Sequence, residues 1–226
     1  LLQARRLLER SLGIMEEIYG PIHREVAGTL NNLGNVLGDL GDLDAARQAF
    51  ERALAIREGS PSPNPLEVAQ SLSNLGGLLR REGDVEGAVI LLERALAMRE
   101  AGSGPDSRLV ALTLAKLGDA LREAGGPERS RTALERSVAI LERGPDRDSR
   151  NLFAALNNLG LVQLQQGESA EAVATLARAR EELEGARGHG HPQVTTVIAN
   201  QAVASALGGQ PGLALGLALE AERVGR

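Results

Sequence analysis

Five polar side chains recur at a constant interval in this chain: Asn32, Asn74, Lys116, Asn158 and Asn200, each 42 residues after the last. A carboxamide is both donor and acceptor, so such an amide can pair with the backbone amide and carbonyl of another polypeptide whatever that polypeptide's side chains. The chemistry of such a column is reversible hydrogen bonding, worth about 0.5 to 1.5 kcal/mol net per bond. Lys116, the single lysine of the chain, replaces an Asn in this series and would suit a carboxylate on a ligand. Asp119 stands three residues on, where the two charges can also pair with each other on a helix surface.

Other residue types capable of chemistry do not assemble into a reactive set. His189 and His191 fall in Gly188-His189-Gly190-His191-Pro192, and no third ligand is spaced to complete a metal site with them. A Gly-rich phosphate loop ending in Lys-Ser or Lys-Thr, a Gly-x-Ser-x-Gly elbow and a His-Glu-x-x-His pair are all missing from the sequence. Acidic pairs such as Glu181-Glu182 read as solvated helix faces. The expectation is a non-enzymatic protein with no cofactor and no metal.

Composition narrows the elements that must carry these residues. With two Phe, one Tyr and no Trp, the chain lacks the aromatics that strands of a sandwich, barrel or propeller favour. Ala, Leu, Glu and Arg, all good helix formers, fill most positions between glycine clusters. A net charge of −5, with no basic run interleaved with aromatics, argues against nucleic acid as a partner. Cysteine is absent and no apolar stretch reaches the roughly 20 residues of a membrane span, which points to a cytoplasmic chain with no membrane partner. Basic charge rests on Arg almost alone, a bias expected of a GC-rich bacterial genome.

The 42-residue interval governs more than the Asn column. Leu33-Gly34, Leu75-Gly76, Leu117-Gly118 and Leu159-Gly160 repeat with it, and Gln201-Ala202 is a weaker fifth copy. Seven residues after each comes a second glycine, at Gly41, Gly83, Gly125, Gly167 and Gly209. Apolar residues at Val26, Leu30, Leu33, Leu37 and Leu40 space by four and three, the stripe of an amphipathic helix, and the stripe recurs in later copies. This first helix of each copy, helix A, should end at the second glycine, with Asp42 or Asp84 then capping a helix B. Helix B carries a small residue at Ala46, Ala88, Ser130, Ala172 and Ala214, and bulk four residues later at Phe50, Leu92, Leu134 and Leu176. Linkers such as Gly59-Ser60-Pro61-Ser62-Pro63-Asn64-Pro65 and Gly144-Pro145-Asp146 cannot continue a helix.

Leu-Gly, two residues, Leu, then Gly-Asp, then Ala with a bulky residue four later resembles the tetratricopeptide repeat. The 42-residue form, with Gly20-Pro21-Ile22-His23 and Gly190-His191-Pro192 leading into helices such as that of Thr29-Leu30-Asn31-Asn32-Leu33-Gly34, is similar to the kinesin-light-chain subtype. HEAT and armadillo repeats share the period but do not account for both glycine columns. The resemblance implies an all-α, right-handed superhelix in which A helices line a concave face. It also implies that Asn32, Asn74, Lys116, Asn158 and Asn200 project into a peptide-binding groove. Asn35 and Asp119, three residues further along their helices, would share that face with Gly77, Leu161 and Val203. The alternative is that the amides serve packing of the repeats, with no ligand. His23 and His191 become linker residues on this reading.

Leu8-Glu9-Arg10-Ser11-Leu12 aligns with Phe50-Glu51-Arg52-Ala53-Leu54, so residues 1–22 read as an orphan helix B. Full repeats follow at 23–64, 65–106, 107–148 and 149–190, and a degenerate one at 191–226, giving eleven helices in one array excised from something longer. Exposed apolar residues are expected on the first and last helices, where they would meet further repeats, another domain or a second copy. Two functions are carried forward: a protein-interaction module that holds a peptide or extended partner segment as a sensor or scaffold arm, and a self-assembling or spacer array with an empty groove.

Overall fold

The computed structural model describes residues 1–143 and 149–225, so the expected Gly144-Pro145-Asp146 linker lies outside the described residues. Among those residues there are eleven α-helices and no strand. They divide between two compact units, Leu1–Pro105 and Asp106–Arg226. The first holds α1 (Leu2–Tyr19), α2 (Arg24–Asp39), α3 (Leu43–Glu58), α4 (Pro65–Glu82) and α5 (Val85–Ser103). The second holds α6 (Arg108–Glu123), α7 (Pro127–Arg143), α8 (Ser149–Gln165), α9 (Ser169–Arg187), α10 (Pro192–Leu207) and α11 (Pro211–Val224). Even-numbered helices are A helices and odd-numbered ones are B helices.

Local chemistry sets the ends of these helices. Gly41 and Gly83 turn the chain out of α2 and α4 at φ of 84° and 90°, a region that costs an L side chain energy but not glycine. Asp42 and Asp84 follow, accepting from Ala45 N at 3.4 Å and Gly87 N at 3.0 Å and so capping α3 and α5. His23 and His191 cap α2 and α10 through Nδ1, which accepts from Glu25 N and from Gln193 N, each at 3.3 Å. Proline opens α4, α7, α10 and α11, where its missing N–H leaves no intrahelical bond unmade.

Each A helix packs on the B helix that follows it through a glycine contact. A Cβ built on Gly34 would stand 2.6 Å from Phe50 Cε1, and on Gly76, Gly118 and Gly160 it would stand 2.9, 2.5 and 2.6 Å from the Cγ atoms of Leu92, Leu134 and Leu176. The first glycine of every full copy is therefore the socket for the bulky residue of helix B. The small column beside it, Ala46, Ala88, Ser130 and Ala172, is wholly buried. Val26, Leu30, Leu33 and Leu37 of the first stripe are buried as well, as are Val68, Leu72, Leu75 and Leu79 of the second.

Within the first unit α2 contacts α4, whereas α1, α3 and α5 meet only A helices at the level of the backbone. The second unit repeats this: α6 contacts α8 and α8 contacts α10, while α7, α9 and α11 contact A helices alone. A helices thus form the tighter inner layer of each unit and B helices the splayed outer layer. Long side chains bridge the outer layer. Arg52 pairs with Glu16 at 2.6 Å, Arg94 with Glu58 at 2.6 Å, and Arg178 with Glu142. These belong to two further 42-residue columns, Glu16, Glu58, Glu100 and Glu142 against Arg52, Arg94, Arg136 and Arg178.

Candidate functional site

The inner layer carries the residues singled out by their spacing. In the first unit Asn32 and Asn35 are exposed on α2, and Asn74 is half-buried on α4. In the second unit Lys116 is exposed and Asp119 half-buried on α6, Asn158 is half-buried on α8, and Asn200 is half-buried on α10. Asp119 is held by Arg122 Nη2 at 3.0 Å, an i,i+3 pair on its own helix.

The graded exposure has a cause in the neighbouring column. Asn31, one residue before Asn32, is buried at 1% exposure; its Nδ2 donates to Ala27 O at 3.0 Å and to Ser71 Oγ at 2.9 Å. Asn74 Nδ2 then donates to Asn31 Oδ1 at 3.3 Å, from one A helix to the preceding one. Asn200 Nδ2 donates in the same way to Asn157 Oδ1 at 2.9 Å, and Asn157 Nδ2 in turn donates to Asn158 Oδ1 at 3.4 Å. Part of the amide capacity of the column is used to tie A helix to A helix, while Asn32 and Lys116 stay exposed.

Beneath Asn31 lies a polar cluster that sequence reasoning missed. Arg57 of α3, only 7% exposed, donates from Nη1 to Glu67 O at 2.6 Å and to Ser71 Oγ at 2.9 Å. Burial pushes its pKa down and the Glu67 charge pulls it back up; a guanidinium nonetheless remains charged in a protein. The available signal was a single 42-residue recurrence, since Arg99 follows Arg57 by 42 residues and is as deeply buried, at 6%.

The histidines take structural positions. His23 stacks on Tyr19 with ring centroids 4.7 Å apart, and His189, whose side chain is 84% exposed, places Nδ1 3.1 Å from Glu184 Oε2. Among the described residues there is no group of three or more His, Cys, Asp or Glu side chains placed to hold a metal ion. Nor, among them, is any helix long and apolar enough to cross a membrane.

The tetratricopeptide repeat pattern matches residues 1–59 and 67–143, and a second tetratricopeptide repeat pattern matches 115–187. This chain belongs to the tetratricopeptide repeat family. The repeats also align with solved arrays at low sequence identity. BtubC (BKLC) from P. vanneervenii is 18% identical and superposes with a TM-score of 0.80 over 98% of this chain and 89% of that one. A kinesin-light-chain-type protein of Podosopora anserina with nearly identical TPR-like repeats is 21% identical, with a TM-score of 0.71 over 89% of this chain and 96% of that one. YrrB, a TPR protein with an unusual peptide-binding site, is 20% identical, with a TM-score of 0.54 over 94% and 90%. At these identities the likeness is one of fold. No curated protein matches the chain. Within the tetratricopeptide family's frame, the Leu-Gly socket and the Gly-Asp turn of this chain are the packing and capping contacts described above.

Proposed function

We propose that these tetratricopeptide repeats form a protein-interaction module that holds an extended polypeptide segment against the inner layer of A helices. The observation that carries the reading is the recurrence on that layer of exposed Asn32, Asn35 and Lys116 with half-buried Asn74, Asp119, Asn158 and Asn200, at positions set by the repeat. On α2 and α4 the ligand's backbone would meet Asn32, Asn35 and Asn74; on α6, α8 and α10 it would meet Lys116, Asp119, Asn158 and Asn200. The Asn31–Asn74 and Asn157–Asn200 bonds support this use because they hold the track at fixed register before a ligand arrives, which lowers the ordering cost of binding. A binding role also accords with YrrB, described as having a peptide-binding site, and with the absence of a catalytic motif in the sequence. The module would serve as a sensor or scaffold arm of a larger protein.

Binding to an array of immobilised, extended peptides tests the proposal. Any peptide captured by the intact chain should be released severalfold more readily by Asn32→Ala with Asn158→Ala, since a peptide held by either unit loses one hydrogen bond of about 0.5 to 1.5 kcal/mol. Undiminished capture by that doubly substituted chain would refute it.

A second reading, self-assembly, is favoured by a different observation. Leu1, Leu2, Leu7 and Ile18 of the first helical segment are 60 to 68% exposed, and Leu213, Leu215 and Leu219 of α11 are 45 to 63% exposed. Light scattering on the intact chain separates the two readings: concentration-dependent association that Leu7→Gln or Leu215→Gln abolishes would support assembly.

A further inference from the structure

Where α3 ends, the linker between α1 and α2 and the linker between α3 and α4 line a half-open cavity of about 700 Å³. It lies wholly within the first unit, and its volume falls in the range of about 300 to 1,000 Å³ typical of small-molecule sites. Pro21, Ile22, Ile56 and Pro61 give it a largely apolar wall. The charged groups along it are Arg24, Arg52 and Arg57 against Glu67 alone.

Those charges are not equivalent. Arg24 Nη2 holds Glu67 Oε1 at 2.7 Å, so the acid is already neutralised. Arg52 is engaged with Glu16 at 2.6 Å and with Pro21 O at 3.1 Å. Arg57 is more than nine-tenths buried and spends Nη1 on Glu67 O and Ser71 Oγ, yet its Nε–H has no acceptor. Glu67 Oε2 stands 3.9 Å from that Nε, outside hydrogen-bond range. A buried cation with an unmade hydrogen bond is a costly arrangement that a carboxylate oxygen relieves by accepting from Nε.

We propose that this cavity binds a carboxylate carried on an apolar stem, with Arg57 as the anchor and Ile22 and Ile56 as the wall against the stem. A monoanion fits better than a phosphate, whose second charge would be set against a wall that is mainly apolar. Nε itself is closed to solvent, so its engagement requires a neighbouring side chain such as Glu67, whose Oε2 is 3.9 Å away, to turn aside. The carboxylate can belong to a free organic acid or to the C-terminal residue of a peptide, and both share this chemistry. The site is separate from the amide track on the A helices and does not rest on it.

Isothermal titration calorimetry on the intact chain tests the assignment. The probes are octanoate with octanamide, and an acetylated tetrapeptide ending in Leu as its free acid with its C-terminal amide. In at least one pair the acid should bind about tenfold or more tightly than its neutral partner, as a charge-assisted contact requires. Preference within the octanoate pair assigns a free acid, and preference within the peptide pair assigns a chain terminus. Arg57→Met should remove the preference, and Asn32→Ala should leave it intact. Because Arg57 also holds the α4 backbone, Ile22→Glu, at a linker position 81% exposed, supplies a second test that does not perturb the core. It should weaken acid binding about tenfold while the helical circular dichroism is unchanged. Acids and neutral partners binding alike, no binding of either acid, or full acid affinity in Ile22→Glu would each overturn the proposal.

Discussion

Asn74 donates its carboxamide N–H to Asn31 Oδ1 at 3.3 Å, joining two A helices across 43 residues of sequence. Asn31 in turn donates to Ser71, on the same helix as Asn74, so the two helices are linked in both directions through one buried amide. Asn200 and Asn157 reproduce the first of these bonds in the second unit, at 2.9 Å.

Asn31→Ala should therefore destabilise the first unit by about 1 to 3 kcal/mol, because it removes a buried amide that bonds Ala27 O, Ser71 and Asn74 and leaves Ser71 with Arg57 as its remaining donor. Urea unfolding of Asn31→Ala, Asn74→Ala and the double variant reads the coupling between them, expected at about 0.5 to 1.5 kcal/mol. Strict additivity would show that the bond contributes nothing.

The glycine sockets predict opposite outcomes for one substitution type. Gly118→Ala places a Cβ 2.5 Å from Leu134 Cγ and should cost about 1 to 3 kcal/mol through overpacking. Gly13→Ala, in α1 with nothing within 4 Å of the new methyl, should stabilise its helix by up to about 1 kcal/mol. Thermal melts of the two variants should move in opposite directions, and Gly118→Ala should recover when Leu134 is shortened to Val.

On the outer layer, Arg94→Glu sets two like charges together at Glu58, where both partners are more than one-third exposed. The loss should be at most about 1 kcal/mol and should shrink with added salt. The swap Glu58→Arg with Arg94→Glu should restore it. Denaturant midpoints at low and high ionic strength provide the comparison.

Acid should loosen α11 before the bulk of the second unit. Hydrogen bonding to Arg180, Nη1 of which lies 3.0 Å from Oε2, holds the Glu220 carboxyl below its ordinary pKa, with burial opposing and the Arg180 charge adding to the shift. A group with a depressed folded-state pKa stabilises the fold above its unfolded pKa, and that contribution is lost as pH falls through the folded value. Hydrogen-exchange protection along α11, taken relative to the intrinsic rate at each pH, should accordingly fall by an acid-dependent increment on descent through the carboxylate range. In Glu220→Gln this acid-dependent increment should disappear.

Much of the fold was legible in the residues themselves. The two glycine columns, the four-three spacing of Val26 to Leu40 and the caps at Asp42 and Asp84 act within a turn or two of chain, so local propensity and periodicity determine the helices and their order. Gly34 and Phe50, 16 residues apart, could also be paired from sequence, because one short turn leaves helix A and helix B little choice of register. The exposed leucines of α1 and α11 followed from counting apolar residues against available neighbours.

Only the tertiary structure decided which of two adjacent asparagines faces inward. Asn31 and Asn32 have the same chemistry, and their helix is the same helix; what separates a buried link from an exposed amide is the rotation of α2 against α4. The burial of Arg57, the outer Glu–Arg pairs and the cavity between two linkers have the same origin. Each depends on contacts between residues some 10 to 43 positions apart, set by the angle at which one helical pair stacks on the next, and that angle is a property of packed surfaces that no single repeat encodes.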